Sequence, residues 1–318
     1  NISAFLEGMM AMCAEQFFWL RVIWGMRLFT SFLLLSMLLV GCERDISFTL
    51  QETDPKLVVE ATIENGQPPL VILSKSLPFF DTLRPSQLAT SFVNDATVSI
   101  THNGTAYPLK GYTSFAAGLP VGYYYTVDST QPNLFLRGAL QQRYTLTIRW
   151  QGKEYLAQTT IPAQTRRIDS IFWRQAPPDN PLNKVALYVR ATDAPGFGDY
   201  IRYYTKQNTS PFLPGLNSVY DDQVIDGTSY EVQVERGIIR DGQPEEGYNF
   251  FNKGDTVTLK LCNIDKATYD FWRTVEFNYA SIGNPFSSPT KVLSNVSGNA
   301  LGYFGGYAAQ YRTLIIPR

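Results

Sequence analysis

Three cysteines, one histidine and a few clustered acids are the side chains with which this chain could do chemistry. Cys42 ends an apolar run, directly after Leu39-Val40-Gly41, where a thiol can be acylated and the bond before it cut. Cys262 lies within Val257-Thr258-Leu259-Lys260-Leu261-Cys262, and a thiol in apolar surroundings is a small hydrophobe rather than a nucleophile. His102 sits beside the turn Asn103-Gly104, so a solvated loop residue is expected rather than a general base. A single His without a Cys cluster gives no zinc set. No Gly-x-Ser-x-Gly elbow accompanies His102, and no Gly-Lys-Ser/Thr phosphate loop occurs. Asp221, Asp222 and Asp226, or Glu245 and Glu246, could hold calcium or serve as an acid pair. Their spacing matches no calcium loop, and solvated turns are the default reading. The residues therefore assign no catalytic group, no metal ligand and no cofactor.

The segment before Cys42 has three parts: Met26-Arg27 as a positive flank, Leu28 to Val40 as an apolar core, and the small Gly41. As a helix the core is about 20 Å long at 1.5 Å per residue. A bilayer interior needs about 30 Å, so the length suits a signal segment rather than a membrane span. Arg21 and Arg27 interrupt the longer run from Phe17, and each charge near a membrane helix centre costs about 2.5–3.5 kcal/mol. Leu39-Val40-Gly41-Cys42 resembles the lipobox read by lipoprotein signal peptidase. Residues 26–41 are thus expected to be a signal peptide, cleaved between Gly41 and Cys42. Cys42 becomes the lipidation site and 42–55 a lipidated leash. Residues 1–25 are expected to be a spurious upstream extension. One acyl chain binds a bilayer marginally and two or more hold stably, at about 0.8 kcal/mol per buried CH₂. The expected location is the cell envelope, on the outer membrane, with the periplasmic and the surface-facing leaflet both open.

The elements downstream must position any remaining site. The chain has 318 residues, 14% aromatic and only 17% charged, against about 25% charged in average usage. That composition is folded and favours pleated, half-buried surfaces. The net charge of −1 leaves no electrostatic footprint for nucleic acid. From Lys56 apolar residues alternate: Leu57, Val59, Ala61 and Ile63 share a face, as do Val121, Tyr123, Tyr125 and Val127, and again Tyr144, Leu146, Ile148 and Trp150. Asn65-Gly66, Asn103-Gly104 and Gln151-Gly152 supply turns. About seven short strands predict a mainly β fold, with an immunoglobulin-like β-sandwich over 56–163. Ile161-Pro162-Ala163-Gln164-Thr165 breaks the pattern. A second antiparallel β-domain is expected over 164–318, carrying a helix at 265–281. Asp265 is its N-cap, and Tyr269, Trp272, Val275 or Glu276, and Tyr279 recur at helical spacing. The Gly-rich stretch from Gly298 to Tyr307 is expected to pack on that helix, and Thr313 to Ile316 to form a last strand. Tyr124, Tyr203, Tyr303 and Tyr307 are the candidate aromatic platforms for sugars or peptides.

Several of these features occur together: the lipobox, Leu57-Val58-Val59-Glu60 with Pro68-Pro69 and Leu73-Ser74-Lys75-Ser76, the Thr268-Tyr269-Asp270-Phe271-Trp272 helix, Asn284-Pro285-Phe286 and the Gly298–Tyr307 tail. In this combination the chain resembles the Bacteroidota lipoprotein family catalogued as domain-of-unknown-function 4249, over nearly all of 26–318. The resemblance supplies no catalytic residues. It implies, by association, work beside a TonB-dependent outer-membrane receptor that captures or passes on a nutrient. The expected function is a non-enzymatic binding or accessory lipoprotein. The expected partners are the membrane, through lipid on Cys42, and such a receptor, with the oligomeric state open. The alternatives are a carboxylate-dependent extracytoplasmic hydrolase and a structural or adhesive surface module.

Overall fold

Alternating burial builds the first strands. The computed structural model describes residues 54–77, 90–116, 119–131, 134–240, 246–284, 286–288 and 290–318, apart from the side chains of 115, 116 and 119–121. The signal segment with Gly41 and Cys42, and Glu245, lie outside the described residues. In β1 (Leu57–Glu64) the apolar residues Leu57, Val59, Ala61 and Ile63 are all buried. β2 (Leu70–Lys75) returns beside it. β3 (Thr97–His102) and β4 (Thr105–Ala116) are joined through Asn103 at φ 49° and Gly104 at φ 78°. Two successive left-handed residues are what a two-residue hairpin demands, and Gly carries the second without steric cost. β5 (Leu119–Val127) pairs with β4 and β2. β6 (Gln142–Trp150) buries Tyr144, Leu146, Ile148 and Trp150, and a tight turn leads into β7 (Lys153–Ile161).

After β7 the chain leaves the large sheet for a smaller one. β8 (Arg167–Gln175) and β9 (Lys184–Thr192) begin the small sheet. β10 (Tyr200–Gln207) and β11 (Leu213–Asp221) return to the large one, and β12 (Ser229–Val234) and β13 (Phe251–Asn252) complete the small one. β14 (Thr256–Ile264), helix α1 (Lys266–Ala280) and β15 (Leu301–Ile315) finish the chain. The large sheet runs β11-β10-β14-β15-β1-β2-β5-β4-β3-β6-β7. β11 was not legible as a strand because Pro214-Gly215 interrupts it, and an edge strand tolerates Pro where a central one does not.

Although β7 ends the strand order, it folds back over β15. The Ser297 amide donates to the Leu156 carbonyl at 2.8 Å, and Asn295 Nδ2 donates to that of Gln158 at 3.1 Å. The sheet therefore rolls around one core, in which Phe304 and Ala308 of β15 join Val59, Ile63, Tyr144, Leu146 and Ile161. The stretch around Gly298–Tyr307 packs under the helix as expected, but as part of one strand, Leu301–Ile315, that already contains most of the last strand expected at Thr313–Ile316. Its glycines bring backbones together: a Cβ on Gly306 would lie 2.6 Å from the Thr160 carbonyl oxygen of β7. β15 pairs parallel to β1 and antiparallel to β14, so it is central rather than a closing edge.

The β10-β14-β15 part of this sheet is covered on both faces. On one face Ile201, Leu259 and Leu261 pack against Ile168, Leu187 and Val189 of the small sheet. On the other, α1 lays Tyr269, Phe271 and Trp272 over Tyr303, Tyr307 and Cys262. The helix matches its expected span to within a residue. Asp265 caps it, accepting the Thr268 amide at 2.9 Å, and its other oxygen takes Thr159 Oγ1 at 2.6 Å and the Thr160 amide at 3.0 Å. Cys262 is a free thiol with no exposed surface, and burial pushes its pKa up to about 12. Among the described residues no helix is long and apolar enough to cross a membrane.

Two outcomes follow from this packing. Gly306→Ala overpacks a backbone crossing, which costs about 1–3 kcal/mol, so thermal unfolding should begin several degrees lower. An unchanged midpoint would show that β7 and β15 do not press together there. In a chain starting after Cys42, an aromatic disulfide reagent should label Cys262 only as fast as the protein unfolds. Rapid stoichiometric labelling of the native protein would contradict the burial described.

Candidate functional site

A cavity of about 560 Å³ lies between the two sheets. Ala191 of β9 with Tyr230 and Val232 of β12 form one wall, and Tyr203 of β10 with Tyr220 of β11 and Leu261 of β14 form the other. β11 ends the large sheet and β12 ends the small one. Two sheets packed as a sandwich close tightly at their centre, and here the gap opens where both reach an edge. The volume is within the range of about 300–1,000 Å³ that small-molecule sites occupy, and mainly apolar walls with a few polar groups are the usual lining.

The polar side chains are tyrosines, Gln233, Arg166 and two acids, Asp221 and Glu231. Tyr203 and Tyr220 stack with ring centres 6.3 Å apart. Burial pushes the Tyr203 hydroxyl well above its ordinary pKa, so it remains a neutral hydrogen-bonding group. Asp221, at the end of β11, accepts a hydrogen bond from the Tyr269 hydroxyl at 3.1 Å, and this brings the helix to the cavity rim. Val224 and Ile225, in the turn after β11, also line the space.

At the cavity's inner side stands Arg166, with no exposed surface. Its Nε donates to Asp193 Oδ1 at 3.0 Å, while both of its terminal nitrogens and Asp193 Oδ2 are buried without a partner. Removing such charges from water costs several kcal/mol each, and a single hydrogen bond recovers only part of that. Burial raises the pKa of Tyr230, with the Arg166 charge pulling it down and Asp193 pushing it up. The same two charges therefore bear on the cavity wall.

The candidates named from the sequence separate in space. Of the four candidate platform tyrosines, only Tyr203 lines the cavity. Tyr124 is half-buried on β5 and stacks on Tyr112 at 5.9 Å. Tyr303 and Tyr307 are both 3% exposed beneath α1, where Trp272 Nε1 donates to the Tyr307 hydroxyl at 3.2 Å. His102 is half-buried, stacked on Tyr144 at 4.7 Å, and does not line the cavity.

The acids divide as well. Asp221 faces Tyr269, whereas Asp222 is 1% exposed and accepts the Gly198 and Asp199 amides at 2.9 and 3.0 Å. Asp226 accepts the Gly196 amide at 2.6 Å, and Glu246 is exposed. Solvated turns are thus the wrong description of Asp222, because backbone amides draw it inward. Sequence reasoning missed Arg166 and Asp193. Asp193 opens Asp193-Ala194-Pro195-Gly196, which reads as an ordinary turn, and Arg166 follows the break at Pro162. Nothing in the local pattern marks either as buried.

None of the curated proteins matches this chain. The family described as Domain of unknown function (DUF4249) matches residues 43–313, from the residue after Cys42 into β15. With nearly the whole described fold inside that match, the chain belongs to the DUF4249 family.

Proposed function

We propose that this protein is a lipid-anchored, non-enzymatic binding component of the bacterial outer membrane. It holds a small, largely apolar ligand between its two sheets and works beside a TonB-dependent nutrient receptor. The observation that carries the reading is the cavity itself, with apolar walls, stacked tyrosines at its rim and an opening between two sheet edges. The lipobox-like Leu39-Val40-Gly41-Cys42 supports the anchor. A Bacteroidota origin and the receptor partner rest on the family resemblance. An adhesive module with a flat face would have no use for such a cavity. His102, engaged with Tyr144 and the Arg143 carbonyl, offers no general base to the cavity. In the same reading 56–163 is an immunoglobulin-like module, supported by the seven strands β1–β7 around a shared core and completed by β15.

Three experiments test this. Val232 stands at the cavity rim and is 46% exposed, so Val232→Trp can fill the opening with little cost to the core. Native mass spectrometry of protein purified gently from its own membranes should show a bound small molecule, at least tenfold depleted in the variant. Equal occupancy in the two proteins would remove the cavity as the binding site. Cys42→Ser should remove the protein from the outer-membrane fraction and leave it larger by the uncleaved signal segment. Unchanged size and attachment would overturn the anchor. Wild-type protein should also co-purify with a receptor in mild detergent, and failure under conditions that preserve a known lipoprotein–receptor pair would remove that partner.

A further inference from the structure

We infer that Asp193, Asp222 and Asp226 form a binding site for one divalent cation, of calcium's chemistry, behind the cavity rim. Each of these residues offers a carboxylate oxygen, and the three oxygens lie within 4.8 Å of one another. Calcium binds oxygens at about 2.3–2.6 Å, so three oxygens this close can all touch a single ion. Proximity of acids alone would not make a site. The second observation is Asp193 Oδ2, which is buried in a residue 1% exposed and has no hydrogen-bond partner, although Oδ1 of the same carboxylate is held by Arg166. A carboxylate oxygen withdrawn from water and left unpaired beside two further carboxylates lacks a positive partner.

Charge and donor type specify the partner. Arg166 offsets one of the three negative charges, and a divalent ion would offset the other two. The donors are all oxygens, with neither imidazole nor thiolate among them, which favours a hard cation over zinc or copper. Calcium tolerates irregular oxygen sets completed by water, whereas magnesium demands near-octahedral geometry and gives up its water reluctantly.

The site is also held in place before any ion arrives. The Gly198 and Asp199 amides fix Asp222, and the Gly196 amide fixes Asp226. An ion here would join the end of β9, the segment leading into β10 and the turn after β11. That turn carries Val224 and Ile225 of the cavity lining. The inference stands whether or not the cavity binds a ligand.

The test uses the full mature protein, stripped with a chelator and titrated with calcium chloride by calorimetry and thermal unfolding. One site per chain is expected, with the unfolding midpoint raised by roughly 5 °C or more once calcium exceeds its dissociation constant about a hundredfold. Magnesium should bind at least about tenfold more weakly. Asp193→Asn disturbs the buried pair with Arg166 and could fail to fold, so the decisive variant is the half-buried Asp226→Asn. It should keep the midpoint of the stripped protein and lose calcium affinity about tenfold or more. Asp128→Asn, on a distant turn, should bind calcium as the wild type does. The inference is overturned if folded wild-type protein shows neither heat nor a midpoint shift at roughly 10 mM calcium, above the range of weak extracellular sites. Unaltered calcium affinity in Asp226→Asn would overturn it equally.

Discussion

Where β7 crosses β15, two backbones approach with no side chain between them. The Thr160 carbonyl lies over Gly306, and on the same segment the Thr160 amide and the Thr159 hydroxyl are held by Asp265. Asp265 also begins the helix, so one carboxylate joins the rolled sheet to the element that covers its outer face. A capping aspartate is usually worth about 1 kcal/mol through its own helix. Here its second oxygen serves another strand, and the two functions cannot be separated by removing the side chain. The roll of the large sheet, the seat of α1 and the shared core of β1, β6, β7 and β15 all meet at this crossing.

Two of the buried arginines are handled differently. Arg202 is 2% exposed beneath the helix, with its guanidinium 3.4 Å from the Trp272 ring centre and 4.8 Å from that of Tyr204. Its Nε donates to Ser218, which in turn donates to Glu276, and Glu276 is joined by Arg240 at 2.7 Å. Aromatic faces and a relay of hydrogen bonds share out the cost there. Arg166 and Asp193 have a single contact and leftover atoms on both sides. The first arrangement leaves one buried atom over, Arg240 Nε, whereas the second leaves three and borders the cavity.

Much of the architecture was legible from alternation and turns. Tyr144, Leu146, Ile148 and Trp150 could be assigned to one buried face because a two-residue period admits little else. Asp265 and the aromatic spacing after it marked α1. The full length of β15 was hidden because its glycines interrupt the apolar alternation, and the strand they approach, β7, is set by tertiary contacts. The cavity was hidden for a related reason: Tyr203 alternates like any strand residue, and only the meeting of two sheet edges makes it a wall. Long-range burial also decided Asp193 and Arg166, whose neighbours in sequence look like solvent-facing turn. The charges at the site were therefore the least legible part, since a carboxylate's surroundings are set by tertiary contacts rather than by spacing.

The parallel pairing of β1 with β15 joins the first described strand to the last, with Glu60 opposite Tyr303 and Glu64 opposite Tyr307. Everything between must be threaded before that seam can close, so the entropic toll of bringing the ends together falls late and the topology is a slow one. A ribosome or export channel that releases this polypeptide gradually would hold back β15 long after β1 has emerged. Until then the opening strand has one flank bare and its core lacks Phe304. Loss of β15 would thus be felt first at β1, where the shape begins.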